Sequence, residues 1–263
     1  MPHERDRVTR RLFLALGAGV GSAAVACVSA FTGQRSSERA RLRARPKKDA
    51  PKDPMTPGEH PLALGSERDG LVYVPRELAP EGGAPLVVML HGAGGSANGI
   101  TRRVTAFALA EEFKAVVLAT DSRGQTWDVI RGSFGPDVTF LDDAMDLTFK
   151  RLAIDPRRVA IGGFSDGASY ALSLGLINGD LFTHIVAFSP GFLVADATIG
   201  HPTIFVSHGK QDEILPITST SRRLVPSLQE AGYSVRYREF DGPHTVPPPI
   251  AREAFEWLSG QSR

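Results

Sequence analysis

From Leu71 to the end of the chain, short unbroken apolar runs alternate with longer stretches whose apolar residues recur at helical spacing. The runs Leu71–Val74, Leu86–Leu90, Ala115–Ala119, Val159–Ile161, Ile185–Phe188, Ile204–Ser207 and Val235–Glu239 predict strands. Helices are predicted over Thr101–Phe113, Phe140–Leu152, Gly167–Asn178, Thr218–Ala231 and Ile250–Leu258, with Asp155-Pro156 ending the second before its strand. A strand that is apolar on both sides has no face for water. It must lie in a sheet covered by helices on both faces, and helical crossovers make such a sheet mostly parallel. Functional residues in these sheets gather in loops at the carboxyl ends of the strands.

Charge excludes one class of partner. The net charge of +1 hides a lopsided distribution: residues 62–263 carry 18 Lys/Arg against 23 Asp/Glu, while residues 34–61 carry eight against four. A mildly acidic body has no electrostatic footprint for nucleic acid. Cys27 is the only cysteine, so no intramolecular disulfide and no cysteine metal cage can form.

The first 33 residues read as an export signal. Arg10-Arg11 is followed by a run from Leu12 to Phe31 without a charged residue, rich in Leu, Ala, Gly and Val. Paired arginines ahead of an apolar run resemble the bacterial twin-arginine signal, which carries folded proteins out of the cytoplasm. A permanent membrane anchor is the alternative, although Gly and Ala leave the run weakly hydrophobic. Ala24-Val25-Ala26-Cys27 resembles a lipoprotein box, in which Cys27 would be lipidated and tether the chain to a membrane. Val28-Ser29-Ala30 is an equally acceptable cleavage site. Residues 34–61, rich in charge and proline and poor in large apolar side chains, are expected to form a flexible linker. The catalytic domain is then 62–263.

Val159-Ala160-Ile161-Gly162-Gly163-Phe164-Ser165-Asp166-Gly167 runs from a strand straight into a helix. Glycines two before and two after Ser165 fit a strained turn that presents a nucleophilic serine. The motif alone is weak; the strand before it and the helix after it strengthen it. A serine hydroxyl needs a base, and the base an orienting acid. Asp212 and His244 each fall in a loop after a predicted strand, in the order Ser, Asp, His. Asp180, Asp196, Glu213 and Asp241 are less well placed as acids. His184, His201 and His208 are less well placed as bases, His208 being expected to make a structural hydrogen bond. The loop His91-Gly92-Ala93-Gly94-Gly95 is expected to supply the Ala93 N–H to an oxyanion, with the Asp166 N–H as the second donor. His91 is expected to shape that loop. Trp127 and Phe192, in loops after strands, could wall the substrate site or simply pack.

Together these segments, with Gly242-Pro243-His244-Thr245-Val246, resemble the phospholipase/carboxylesterase branch of the α/β-hydrolases over roughly residues 71–258. They are similar also to secreted polyhydroxybutyrate depolymerases and feruloyl esterases. The resemblance implies an α/β-hydrolase fold, a Ser165–Asp212–His244 triad and oxyanion donors at Ala93 and Asp166. It further implies hydrolysis of a small-molecule or polymeric ester without metal or organic cofactor. The short stretch between Phe188 and Thr203 leaves no room for a cap domain. The family usually has Gln where this chain has Asp166, whose charge is expected to disfavour anionic substrates such as phospholipids. An acyltransferase or peptidase using the same triad is the alternative enzyme, and a non-catalytic surface binding protein the alternative outside enzymology.

Overall fold

The computed structural model describes residues 37–47, 51, 53–65, 67–78 and 82–260. The expected export signal, with its arginine pair and Cys27, falls outside them. In chain order the elements are β1 (Gly58–Pro61), β2 (Gly70–Val74), β3 (Ala84–Leu90), α1 (Ala97–Arg103), α2 (Ala106–Phe113), β4 (Val116–Thr120), α3 (Pro136–Arg151), β5 (Ile154–Phe164), α4 (Asp166–Ile177), β6 (His184–Phe188), β7 (Thr203–Gly209), α5 (Ser221–Glu230), β8 (Val235–Phe240) and α6 (Pro248–Leu258). The strands form one sheet in the order β1-β2-β4-β3-β5-β6-β7-β8. β1 and β2 are antiparallel to their neighbours, and every pairing from β4 to β8 is parallel.

The two-sided burial expected of the central strands is met: β3 and β4 are buried along their whole length. Their period of two divides the core. Leu86, Val88 and Leu90 pack with Leu141 and Met145 of α3 and Leu172 of α4 on one face. Val87 and Met89 pack with Ile100 of α1, Leu109 of α2 and Phe255 of α6 on the other. β6 connects to β7 through residues 189–202 alone, so no cap domain interrupts the fold there.

Three expectations need correction. The single helix foreseen over Thr101–Phe113 is two, broken where Thr105 takes a left-handed conformation (φ 50°). β5 begins at Ile154, so Asp155-Pro156 lies within a strand whose register against β3 shifts between Ala84 and Leu86. The largest correction concerns the linker foreseen over 34–61. Gly58–Pro61 is an edge strand paired with β2, and residues 37–47 lie as a strap on the domain. Ser37, Ala40, Leu42 and Ala44 are buried. Asn178 Oδ1 accepts from the Leu42 N–H (2.9 Å), and its Nδ2 donates to Ala40 O (2.9 Å). Asp142 Oδ1 accepts from the Arg43 and Ala44 N–H groups. Arg41 and Arg45 share the Asp180 carboxylate at 2.8 and 2.7 Å. Alternation explains the docking: Arg41, Arg43 and Arg45 point outward or to a carboxylate, while Leu42 and Ala44 point inward. Burial of Leu42 alone stabilises the contact by about 1.5–3 kcal/mol.

Candidate active site

Ser165 stands at the turn between β5 and α4 with φ 58° and ψ −120°, a backbone conformation that side chains rarely adopt. Its N–H donates to Phe188 O of β6 (2.9 Å), which ties the strained turn to the sheet. The flanking glycines are demanded by close approach. A Cβ on Gly163 would lie 2.5 Å from the Gly167 carbonyl, and one on Gly167 would lie 2.3 Å from Leu90 O. The turn therefore packs against its own first helical turn and against the end of β3.

His244 and Asp212 arrive on two loops joined by backbone bonds, from Lys210 N to Phe240 O (2.9 Å) and Gln211 N to Gly242 O (3.1 Å). His244 Nε2 is 2.9 Å from Ser165 Oγ, and its Nδ1 is 2.6 Å from Asp212 Oδ2. A carboxylate can only accept, so Nδ1 carries the proton and Nε2 is left as acceptor for the serine hydroxyl. The Phe164 ring supports the imidazole at a centroid distance of 4.6 Å. Asp212 is buried; Oδ1 accepts from the N–H groups of Ile214 (3.0 Å) and Leu215 (2.8 Å). Burial pushes its carboxyl up, but the Leu215 N–H and the His244 and His208 rings outweigh this and hold it below its ordinary value.

His208, expected to make a structural hydrogen bond, makes two, to Ser221 and Leu215; its contact with Asp212 was not expected from the sequence. The fully buried His208 ring lies with Nε2 3.1 Å from Asp212 Oδ2 and 2.8 Å from Leu215 O, while Nδ1 is 2.7 Å from Ser221 Oγ. Burial pushes His208 down, toward the neutral form. An Nε2–H shared between Leu215 O and Asp212, with Nδ1 accepting from Ser221, satisfies every group. The spacing His208-Gly209-Lys210-Gln211-Asp212 was the available signal.

The loop after β3 is braced from behind. His91 Nδ1–H donates to Gly92 O (2.7 Å), and Nε2 accepts from the Ser122 N–H (2.9 Å); burial pushes this ring down too. Gly94 N–H donates to Gln125 O (2.6 Å), leaving Ala93 exposed on the cleft beside Ser165. Trp127, a candidate substrate wall, is buried behind this loop. Its Nε1–H donates to His91 O (2.8 Å), and its indole stacks on Tyr170. Tyr170 in turn donates to Asp128 (3.0 Å), whose carboxylate also accepts from the Asp137 N–H (2.9 Å). Phe192 is half-buried against the core on the α3–α4 face, its N–H 3.3 Å from Ser169 Oγ. Neither aromatic ring lines the cleft around Ser165, which has a volume of about 340 Å³.

Asp166 is the first residue of α4, where backbone N–H groups have no partner within the helix. Its carboxylate is turned aside, accepting from Thr126 Oγ1 at 2.5 Å. Glu213 is exposed, Asp241 faces Lys210, and Asp180 serves the strap. Among the described residues, no cluster of three His, Cys, Asp or Glu could hold a metal ion.

Residues 136–248 match the phospholipase/carboxylesterase family model. No curated protein sequence matches the chain. Among solved structures, esterase PE8 superposes with a TM-score of 0.57 at 21% identity, covering 74% of this chain and 99% of its own. The Staphylococcus aureus fluorophosphonate-binding serine hydrolase FphF gives 0.63 at 14% identity, covering 78% and 99%. A ferulic acid esterase from the anaerobic fungus Anaeromyces mucronatus gives 0.60 at 16% identity, covering 84% and 100%. At these identities the likeness is one of fold. The chain has the α/β-hydrolase fold, and within it residues 136–248 are similar to the phospholipase/carboxylesterase family.

Proposed function

We propose that the protein is a serine esterase that hydrolyses carboxylic esters by way of an acyl-enzyme. The observation that carries this reading is the position of His244, with one ring nitrogen 2.9 Å from Ser165 Oγ and the other 2.6 Å from a buried carboxylate. His244 Nε2 takes the Ser165 proton as Oγ bonds to the ester carbonyl carbon. The carbonyl π electrons move to oxygen, where the N–H groups of Ala93 and Asp166 receive the charge; the second stands at the positive end of α4. Collapse breaks the bond to the alcohol oxygen, which takes the proton from His244. Water, deprotonated by His244, then releases the acid and restores Ser165. The names of the structural relatives, among them a ferulic acid esterase and an acetyl xylan esterase, support ester substrates of small or polymeric alcohols. Hydrolysis of p-nitrophenyl butyrate by the purified domain, abolished in a folded Ser165→Ala variant, is the test. Turnover retained by the variant would overturn the reading.

A further inference from the structure

Among the described residues the wall of the cleft carries one permanent cation. Arg103, the exposed last residue of α1, lines the cleft with its guanidinium carbon 4.6 Å from the centroid of the Phe164 ring. Phe164 in turn lies 4.6 Å from the His244 ring, so one phenyl ring touches both the guanidinium and the imidazole. Arg103 makes no ion pair among the described residues. The remaining walls are uncharged: Gly92, Ala93, Ile100 and Phe164, with the strongly exposed Ile214 at the rim. His91 donates from Nδ1 to Gly92 O and accepts at Nε2 from the Ser122 N–H, the pattern of a neutral imidazole. The carboxylates of Asp166 and Asp212 do not line the cleft: the first accepts from Thr126, and the second meets two imidazoles and two backbone N–H groups.

A guanidinium without a carboxylate partner is a ready seat for an anion. An anion on the substrate, seated on it, gains a charge-assisted pair beside the reacting serine. We propose that Arg103 is an anion-recognition residue and that the preferred substrates are esters bearing a carboxylate or similar anion a few bonds from the scissile carbonyl. The inference rests on the esterase reading above and names its substrate class.

Two matched pairs of esters test it. On the acyl side, the p-nitrophenyl monoester of adipic acid is compared with p-nitrophenyl 6-methylheptanoate, in which isopropyl replaces carboxylate. On the alcohol side, 4-(butanoyloxy)phenylacetate is compared with its methyl ester. The wild-type protein is expected to favour the anionic member of at least one pair by roughly tenfold in kcat/KM, the scale of one charge-assisted bond. That ratio should fall to about one or below in Arg103→Gln, be kept in part by Arg103→Lys, and shrink in molar salt. Turnover of both members at equal rates by the wild type, or a preference that survives in Arg103→Gln, overturns the inference and leaves the esterase standing. No turnover of any of the four esters by the wild type removes both.

Discussion

His208 and His244 meet the same oxygen of the buried Asp212 carboxylate, at 3.1 and 2.6 Å. The acid is thus fixed by two rings and two backbone N–H groups, and the direction in which it accepts the His244 Nδ1–H bond is set by its surroundings.

Replacing His208 by alanine should therefore cost both stability and rate. It opens a cavity at a fully buried position and leaves Ser221 Oγ and Leu215 O without a partner, worth about 2–4 kcal/mol. With one of its anchors gone, Asp212 should orient His244 less well and kcat should fall about tenfold. Urea denaturation and steady-state kinetics on the same variant check both; an unchanged kcat in a destabilised protein would make His208 purely structural.

Asp212→Asn is expected to lower kcat by about 10³–10⁴, because the amide can offer an N–H to Nδ1 and so favour the wrong tautomer. Glu213→Gln, one residue on and exposed, should stay within twofold of wild type. A reversed outcome would move the acid to Glu213.

Trp127 braces the loop after β3, so Trp127→Phe should remove about 1 kcal/mol with its bond to His91 O. Its rate loss should be the same across a series of acyl lengths. A change in the chain-length profile would return Trp127 to the substrate wall.

The strap should be acid-labile. Burial pushes the Asp180 carboxyl up, but hydrogen bonds from Arg41 and Arg45 outweigh it and hold the group down to about 2, against an ordinary value of 3.8. A carboxyl held low when folded contributes fully above its ordinary value, and the contribution disappears as pH falls from there towards the folded value. Hydrogen-exchange protection of amides in residues 40–45 should drop between about pH 4 and pH 2, before that of the sheet. Asp180→Asn should lose the same protection already at pH 6. Strap and sheet losing protection together in acid would contradict a separately docked strap.

These residues also mark what was legible beforehand. Ser165 could be read because its strand, its glycines and its helix are adjacent in the chain, so the signal is local. Asp212 and His244 followed from strand order. Trp127 was ambiguous because no local period tells which way a loop side chain points; its partners His91 and Tyr170 lie about forty residues to either side. The strap was read as a linker because its high charge and proline content obscures the alternation of Arg41 to Arg45. The groups that receive it, Asp142, Asn178 and Asp180, stand roughly a hundred residues or more away. Nothing in the sequence sets Arg103 apart from other helix arginines; its place over Phe164 comes from the fold.

The central claim is that His244, oriented by Asp212, makes Ser165 a nucleophile. It is tested most directly by reacting the purified protein with a fluorophosphonate and mapping the modified peptide by mass spectrometry. The expected result is stoichiometric labelling at Ser165, lost in Ser165→Ala and slowed at least a hundredfold in His244→Ala. Labelling elsewhere, or at Ser165 with undiminished rate in His244→Ala, would contradict it.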